Sequence, residues 1–265
     1  MSETTPFNSR PFRKACKLAA QASKKYDMLA AGDRLLLGIS GGEDSLLLMH
    51  IMTRLQKRAP FHFELLPAFI DLSFTSVNRA ALRQYALAQG WQLHWQCIDG
   101  AALLKEKNAE QRPCSLCSRL RRGQLHQLAD QLGCNKIVLG HHLDDLCCSL
   151  LMSLFRGGGL KTMGPNVAAD NSSKRLLRPL CLLSKAELHA AAKPFLFPPI
   201  KSCPYEEALQ KKGDRAYLER LLEQLEEQFP NLRGAMLHSM SDLRLAHLLD
   251  PRYMKLEKDP DKGKL

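Results

Sequence analysis

Leu35-Leu36-Leu37-Gly38-Ile39-Ser40-Gly41-Gly42-Glu43-Asp44-Ser45, continuing into Leu46-Leu47-Leu48-Met49-His50-Ile51, is the stretch that decides the fold. An apolar run that stops at two glycines reads as a buried parallel strand, and the apolar run after Ser45 is long enough for a buried helix on the same sheet. The loop between them suits an anion. Gly41 and Gly42 have access to backbone angles closed to other residues and carry no side chain, so main-chain N–H groups and the Ser40 and Ser45 hydroxyls can surround a phosphate. A helix starting near Asp44 adds its positive end. The plainer reading is a glycine turn with Asp44 or Ser45 capping a helix, but the whole S-G-G-x-D-S string between two buried elements favours a nucleotide. It is neither the G-x-x-x-x-G-K-[ST] loop nor a G-x-G-x-x-G fingerprint.

Outward from that loop the chain alternates. Phe63 to Ile70 reads as a second strand, Val77 to Gln89 as its return helix ended by Gly90, and Leu93 to Ile98 as a third strand. A helix follows Pro113 and runs to Leu132, Lys136 to Leu139 is a fourth strand, and Asp144 to Phe155 is apolar enough all round to be a buried helix. Leu176 to Leu180 reads as the last strand, and Ser184 caps a helix to Lys193. This order predicts an α/β fold with a doubly wound parallel sheet, which binds ligands at the carboxyl ends of its strands.

Before the first strand, Arg10 to Leu29 forms an amphipathic basic helix; after the last, Arg215 to Gln228 and Leu232 to Leu248 form a helical appendage. The expected organisation is a basic N-terminal helix over 1–33, a nucleotide-binding domain over 34–200, a helical extension over 201–250 and a charged tail over 251–265. The 265 residues carry a net charge of +11. Seven Lys/Arg against three Asp/Glu up to Arg34, and six against two from Lys105 to Arg122, suit a polyanionic substrate better than two solvated faces. Met1 to Asn8 has no apolar stretch of signal-peptide length and no segment has the apolar length of a membrane span, so the chain reads as cytoplasmic. Nine cysteines there are not expected to form a disulfide framework.

Two further clusters carry chemistry. Cys114 and Cys117, in Pro113-Cys114-Ser115-Leu116-Cys117, stand three apart at a helix start, where one turn brings both sulfurs to one side. A redox pair, half a zinc site and an iron–sulfur cluster compete for this motif. A zinc site wants a second close pair and the chain offers only Cys203, whereas three thiolates suit a cluster with one iron left open. Cys16, Cys97, Cys134, Cys147, Cys148 and Cys181 lie in apolar runs or beside helix ends and read as buried small hydrophobes. The other cluster is Gly140-His141-His142-Leu143-Asp144-Asp145, at a strand-to-helix junction. One carboxylate there caps the helix, while a carboxylate such as Asp145 can also hold Mg²⁺ against ATP phosphates and His141 can donate to a phosphate or orient a base.

In this order S-G-G-x-D-S, P-C-S-L-C-S-R-L-R-R-G, L-G-H-H-x-D-D, R-P-L and a late cysteine resemble the PP-loop ATPases, and within them the TtcA-type tRNA 2-thiocytidine synthetases, over most of the chain. The resemblance implies an ATP- and Mg²⁺-dependent tRNA sulfurtransferase with a [4Fe-4S] cluster, usually dimeric, acting on cytidine in the anticodon loop and charged by a sulfur donor such as a cysteine desulfurase. It maps nucleotide binding to Ser40, Gly41, Gly42, Glu43, Asp44 and Ser45, and the cluster to Cys114, Cys117 and Cys203; Asp44, His141 and Asp145 are the expected catalytic groups. The expected chemistry is adenylation of the C2 oxygen, then displacement of AMP by sulfur from the open iron. Two positions depart from the branch: Glu43 stands where it typically has lysine, and the second late cysteine is missing. Another PP-loop tRNA thiolase, and an iron–sulfur RNA-binding protein without ATP chemistry, are the competing readings.

Overall fold

The computed structural model describes residues 5–74, 77–107, 113–169, 173–200 and 213–253. Its six strands are β1 (Arg34–Ile39), β2 (Glu64–Asp71), β3 (His94–Cys97), β4 (Lys136–Val138), β5 (Asn166–Ala168) and β6 (Arg175–Leu177). They form one sheet in the order β3-β2-β1-β4-β6-β5. All neighbours pair in parallel except β5, which runs antiparallel to β6. The central strand β1 is buried on both faces, with Leu35, Leu36 and Leu37 inaccessible to solvent, as its unbroken apolar run requires.

The helices are α1 (Arg10–Lys25), α2 (Glu43–Arg58), α3 (Arg79–Ala88), α4 (Gly100–Glu106), α5 (Pro113–Gln131), α6 (Leu143–Phe155), α7 (Lys185–Ala192), α8 (Asp214–Gln228) and α9 (Leu232–Ser241). From β1 the chain winds through α2 to β2 on one side, and later through α5 to β4 on the other. Right-handed crossovers in opposite directions put α2 and α5 on opposite faces of the sheet. α1 and α7 pack with α2, and α5 packs on β1, β2 and β4. A buried polar knot closes the amino end of the sheet: Lys136 Nζ donates to Asp33 Oδ2 at 2.6 Å and to the Met28 carbonyl at 3.0 Å.

Several elements differ from the expectation. The last parallel strand ends at Leu177 because Arg178 turns to hydrogen-bond the segment before β5. β5 itself and α4 are additional: three and seven residues give too little periodicity to detect. The final helix stops at Ser241, followed by a single 3-10 turn at Leu245–His247. Cys97 is exposed at the end of the edge strand β3, whereas Cys16, Cys134, Cys147, Cys148 and Cys181 are buried. The chain divides into two compact units, Met1–Glu219 and Arg220–Leu265. In the second, Arg233 pairs with Glu226 at 2.9 Å.

Candidate active site

The order of strands places the site. β1 and β4 are neighbours whose following helices leave toward opposite sides, so the loops after them face each other across the switch point of the sheet. They touch: a Cβ on Gly140 would lie 3.7 Å from backbone atoms of Asp44 and Ser45.

The loop after β1 is shaped by its own hydroxyls. Ser45 Oγ donates to the Gly42 carbonyl at 2.8 Å and accepts from the Ser40 amide at 3.1 Å; Ser40 Oγ accepts from the Gly42 amide at 3.3 Å. Both hydroxyls therefore bond the loop itself, and the cradle consists of backbone amides at the start of α2. Gly41 has φ +87°, and a Cβ there would come 2.7 Å from Ile200 Cγ2. Only glycine fits. Gly42, in contrast, is extended at φ −76° and does not use the freedom expected of it. Glu43 opens α2, with Oε1 3.1 Å from His189 Nδ1 on α7. The Asp44 side chain is 44% exposed, its Oδ2 4.0 Å from His142 Nε2. Partial burial raises the Asp44 carboxyl above its ordinary range, with Asp145 and Glu43 adding to the effect and His142 opposing it.

The loop after β4 assigns different roles to its two histidines. Buried His142 has Nδ1 3.5 Å from Asp144 Oδ2 and Nε2 3.5 Å from Asp145 Oδ2. Burial lowers its pKa, but Asp144, Asp145 and Asp44 outweigh that and leave it above the usual histidine value. His141 goes the other way, pushed down to about 4 chiefly by burial, with Arg178 and Arg215 adding to it. It is neutral at pH 7, and its Nδ1 accepts from Arg178 Nε at 3.4 Å, which leaves the ring proton on Nε2. Asp145 Oδ2 accepts from the His142 amide at 2.9 Å and so caps α6, while its Oδ1 pairs with Arg215. Asp144 Oδ2 accepts from the Lys185 amide at 2.7 Å and ties α6 to α7.

These groups share one cavity of about 680 Å³. Ser40, Asp44, His141 and Asp145 line it, and so do Cys114 and Cys117 from the first turn of α5, Cys114 exposed and Cys117 buried. Among the thiols away from the cavity, burial pushes Cys16 and Cys148 up to about 11 and Cys181 to about 12. Cys203 lies outside the described residues. Among the described residues no three His, Cys, Asp or Glu side chains converge as a metal site. Ile200 and Arg215, on either side of residues 201–212, both reach the site. Arg178 and Arg215 line the cavity together with Arg121 and Arg122, and none of the four was among the site residues expected. The signal for Arg178 was available, a cation set directly at the carboxyl end of a buried strand in R-P-L. Nothing in the sequence marked Arg215.

The PP-loop domain family matches residues 14–195. The tRNA-cytidine(32) 2-sulfurtransferase of Syntrophotalea carbinolica is 36% identical over 249 residues, covering 91% of this chain and 93% of that relative. The protein of the same name from Sorangium cellulosum is 37% identical, over 92% of this chain and 86% of its own. In three dimensions the chain resembles the U34-tRNA thiolase NcsA from Methanococcus maripaludis, solved with its [4Fe-4S] cluster, with a TM-score of 0.70 and 18% identity over 87% of this chain and 78% of that one. Likeness of this extent in sequence, carried on the fold and loop described above, means that the chain belongs to the PP-loop domain family, in the group that holds the tRNA-cytidine(32) 2-sulfurtransferases.

Proposed function

We propose that the chain is an ATP-dependent tRNA sulfurtransferase that adenylates C2 of a cytidine in the anticodon loop and replaces its oxygen with sulfur. The observation that carries this reading is the convergence on one cavity of the loop after β1, the neutral His141 and the thiols of Cys114 and Cys117. In the activating step the C2 oxygen attacks the α-phosphorus of ATP and the bond to pyrophosphate breaks. Pyrophosphate is received by the amides of Gly41, Glu43 and Asp44 at the positive end of α2, those of Gly42 and Ser45 being bonded within the loop. His141 donates through Nε2 without adding charge, holding a phosphate oxygen or the base in line, and Arg178 fixes its tautomer. Arg121, Arg122 and Arg215 offset the charge of the phosphates.

Asp44, at the half-exposed rim, is the carboxylate open to Mg²⁺; Asp145, already bonded through both oxygens, positions the α6 turn. Cys114, Cys117 and Cys203 would hold the [4Fe-4S] cluster, which would supply the sulfur that displaces AMP. Holding ATP and base at near-attack distance in one enclosed site supplies rate through effective molarity. The same reading includes a cytoplasmic location, a homodimer, a sulfur donor such as a cysteine desulfurase, and the division 1–33, 34–200, 201–250 and 251–265.

The test is mass spectrometry of tRNA nucleosides after incubating anaerobically prepared protein with tRNA, ATP, Mg²⁺ and sulfide. Expected are 2-thiocytidine and one AMP per sulfur, with both lost in Cys114→Ala and Cys117→Ala. The two variants should also lose bound iron, whereas Cys147→Ala should keep it. Absence of both a thiolated nucleoside and tRNA-dependent AMP formation with iron-replete protein would overturn the reading.

A further inference from the structure

A second hollow of about 980 Å³ lies away from the cavity, between α1 and the carboxyl end of α2. Arg13, Lys17 and Lys24 line it from α1, and Arg54 and Arg58 from α2; Asp27 is the acidic residue among those facing it. The three α1 cations are four and seven residues apart, which places them on one stripe of the helix, along about 16 Å. Some other surface cations do find carboxylates, as in Lys14 with Glu187 at 2.8 Å and Arg79 with Asp71 at 2.5 Å. Arg13, Lys17, Lys24 and Arg58 have no carboxylate within ion-pair distance among the described residues.

Five like charges gathered around a single carboxylate repel one another, and a polyanion relieves that repulsion by releasing its own counterions. Arg54 is already ordered: it donates to the Phe7 carbonyl at 2.7 Å and lies over the Phe12 ring at 5.7 Å. α2 is sixteen residues long, so the groove at its far end stands about 24 Å from the nucleotide loop at its start. That is too far for the base or ATP in the cavity, and it suits a row of phosphates from the same large substrate. A concave wall of inward-facing cations is shaped for a backbone strand rather than a flat lipid surface.

We infer that this groove seats the sugar–phosphate backbone of the tRNA substrate, away from the base being modified. The inference rests on the proposed tRNA substrate and adds where the rest of that molecule is held. On the same helix Lys14 is turned to Glu187 instead, while Lys17 faces the groove.

The test is fluorescence anisotropy of full-length tRNA with the whole chain over a range of salt. Lys17→Gln combined with Lys24→Gln should weaken binding about tenfold at moderate salt and lower the slope of log K against log salt by about 1.4–1.8. ATP affinity should stay at the wild-type value, and Lys14→Gln should bind tRNA as wild type does. A double variant with wild-type affinity and slope, in protein whose wild type binds and thiolates tRNA, overturns the groove and leaves the function standing. Wild-type protein that neither binds nor thiolates tRNA overturns both. Loss in the double variant of binding to phosphatidylglycerol vesicles, with tRNA affinity intact, would assign the groove to a lipid surface instead.

Discussion

Arg215, in the first turn of α8, pairs with Asp145, in the first turn of α6, across 70 residues of sequence. The carboxylate is thereby bonded at both oxygens, one by this guanidinium and one by the amide of His142. Asp145 is 4% exposed and Arg215 58%, so water can replace the guanidinium more readily than anything can replace the carboxylate. Arg215→Ala should destabilise the fold by about 1 kcal/mol and Asp145→Ala, which also removes the cap, by about 2 kcal/mol. Denaturant unfolding of both single variants and the double checks the pair: the double should lose at least about 0.5 kcal/mol less than the sum, and strict additivity would show the contact to be idle.

The two glycines of the loop should respond differently to alanine. At Gly41 a side chain meets both a left-handed backbone, costing about 1–2 kcal/mol, and Ile200 at 2.7 Å. At Gly42 the backbone is extended and the nearest contact is 3.5 Å. Calorimetric ATP titration should show binding lost in Gly41→Ala and largely kept in Gly42→Ala. Equal loss in both would mean that the close approach of phosphate, rather than the turn, sets the requirement.

Glu43→Lys should tighten ATP binding. The carboxylate occupies the positive end of α2, where it favours the empty helix by about 0.3–1 kcal/mol and competes with pyrophosphate. Its contact to exposed His189 is weakly held in water and offers little resistance to the change. Titration of ATP at several Mg²⁺ concentrations separates this from a metal-holding role, in which the variant would bind ATP more weakly and require more Mg²⁺.

Acid should weaken the fold through His50. This ring is buried among Phe7, Trp91, Phe195 and Phe197, with Nε2 2.7 Å from the Tyr85 hydroxyl, and burial pushes its pKa down to about 4. The unfolded chain takes up a proton below about pH 6.5 that the folded chain refuses, so stability is full above that pH and falls as pH drops toward 4. The slope for one such histidine is at most about 1.4 kcal/mol per pH unit. His50→Phe should flatten the fall in urea midpoint between pH 6.5 and 4, though not abolish it, since His141 is shifted the same way. An unchanged slope would place the acid sensitivity elsewhere.

The parallel strands β1 to β4 and the loop after β1 were legible along the chain. A run such as Leu35 to Leu37 that stops at Ser40-Gly41-Gly42 fits an interior strand, and the turn that follows it needs glycine at position 41, where φ is +87°. Local signals also held for the cap on α7, where Ser184 Oγ accepts from the Glu187 amide and Glu187 answers through the Ser184 amide. Only the tertiary structure decided what stands around the loop. Which histidine is neutral depends on burial and on Arg178, which arrives from another strand. The arginine that satisfies Asp145 comes from α8. Lys14 and Lys17 look alike in a basic helix until α7 brings Glu187 to one and leaves the other facing the groove. Periodicity and glycine chemistry act within a few residues and can be read along the chain, whereas protonation and ion pairing are set by neighbours that folding supplies from tens of residues away.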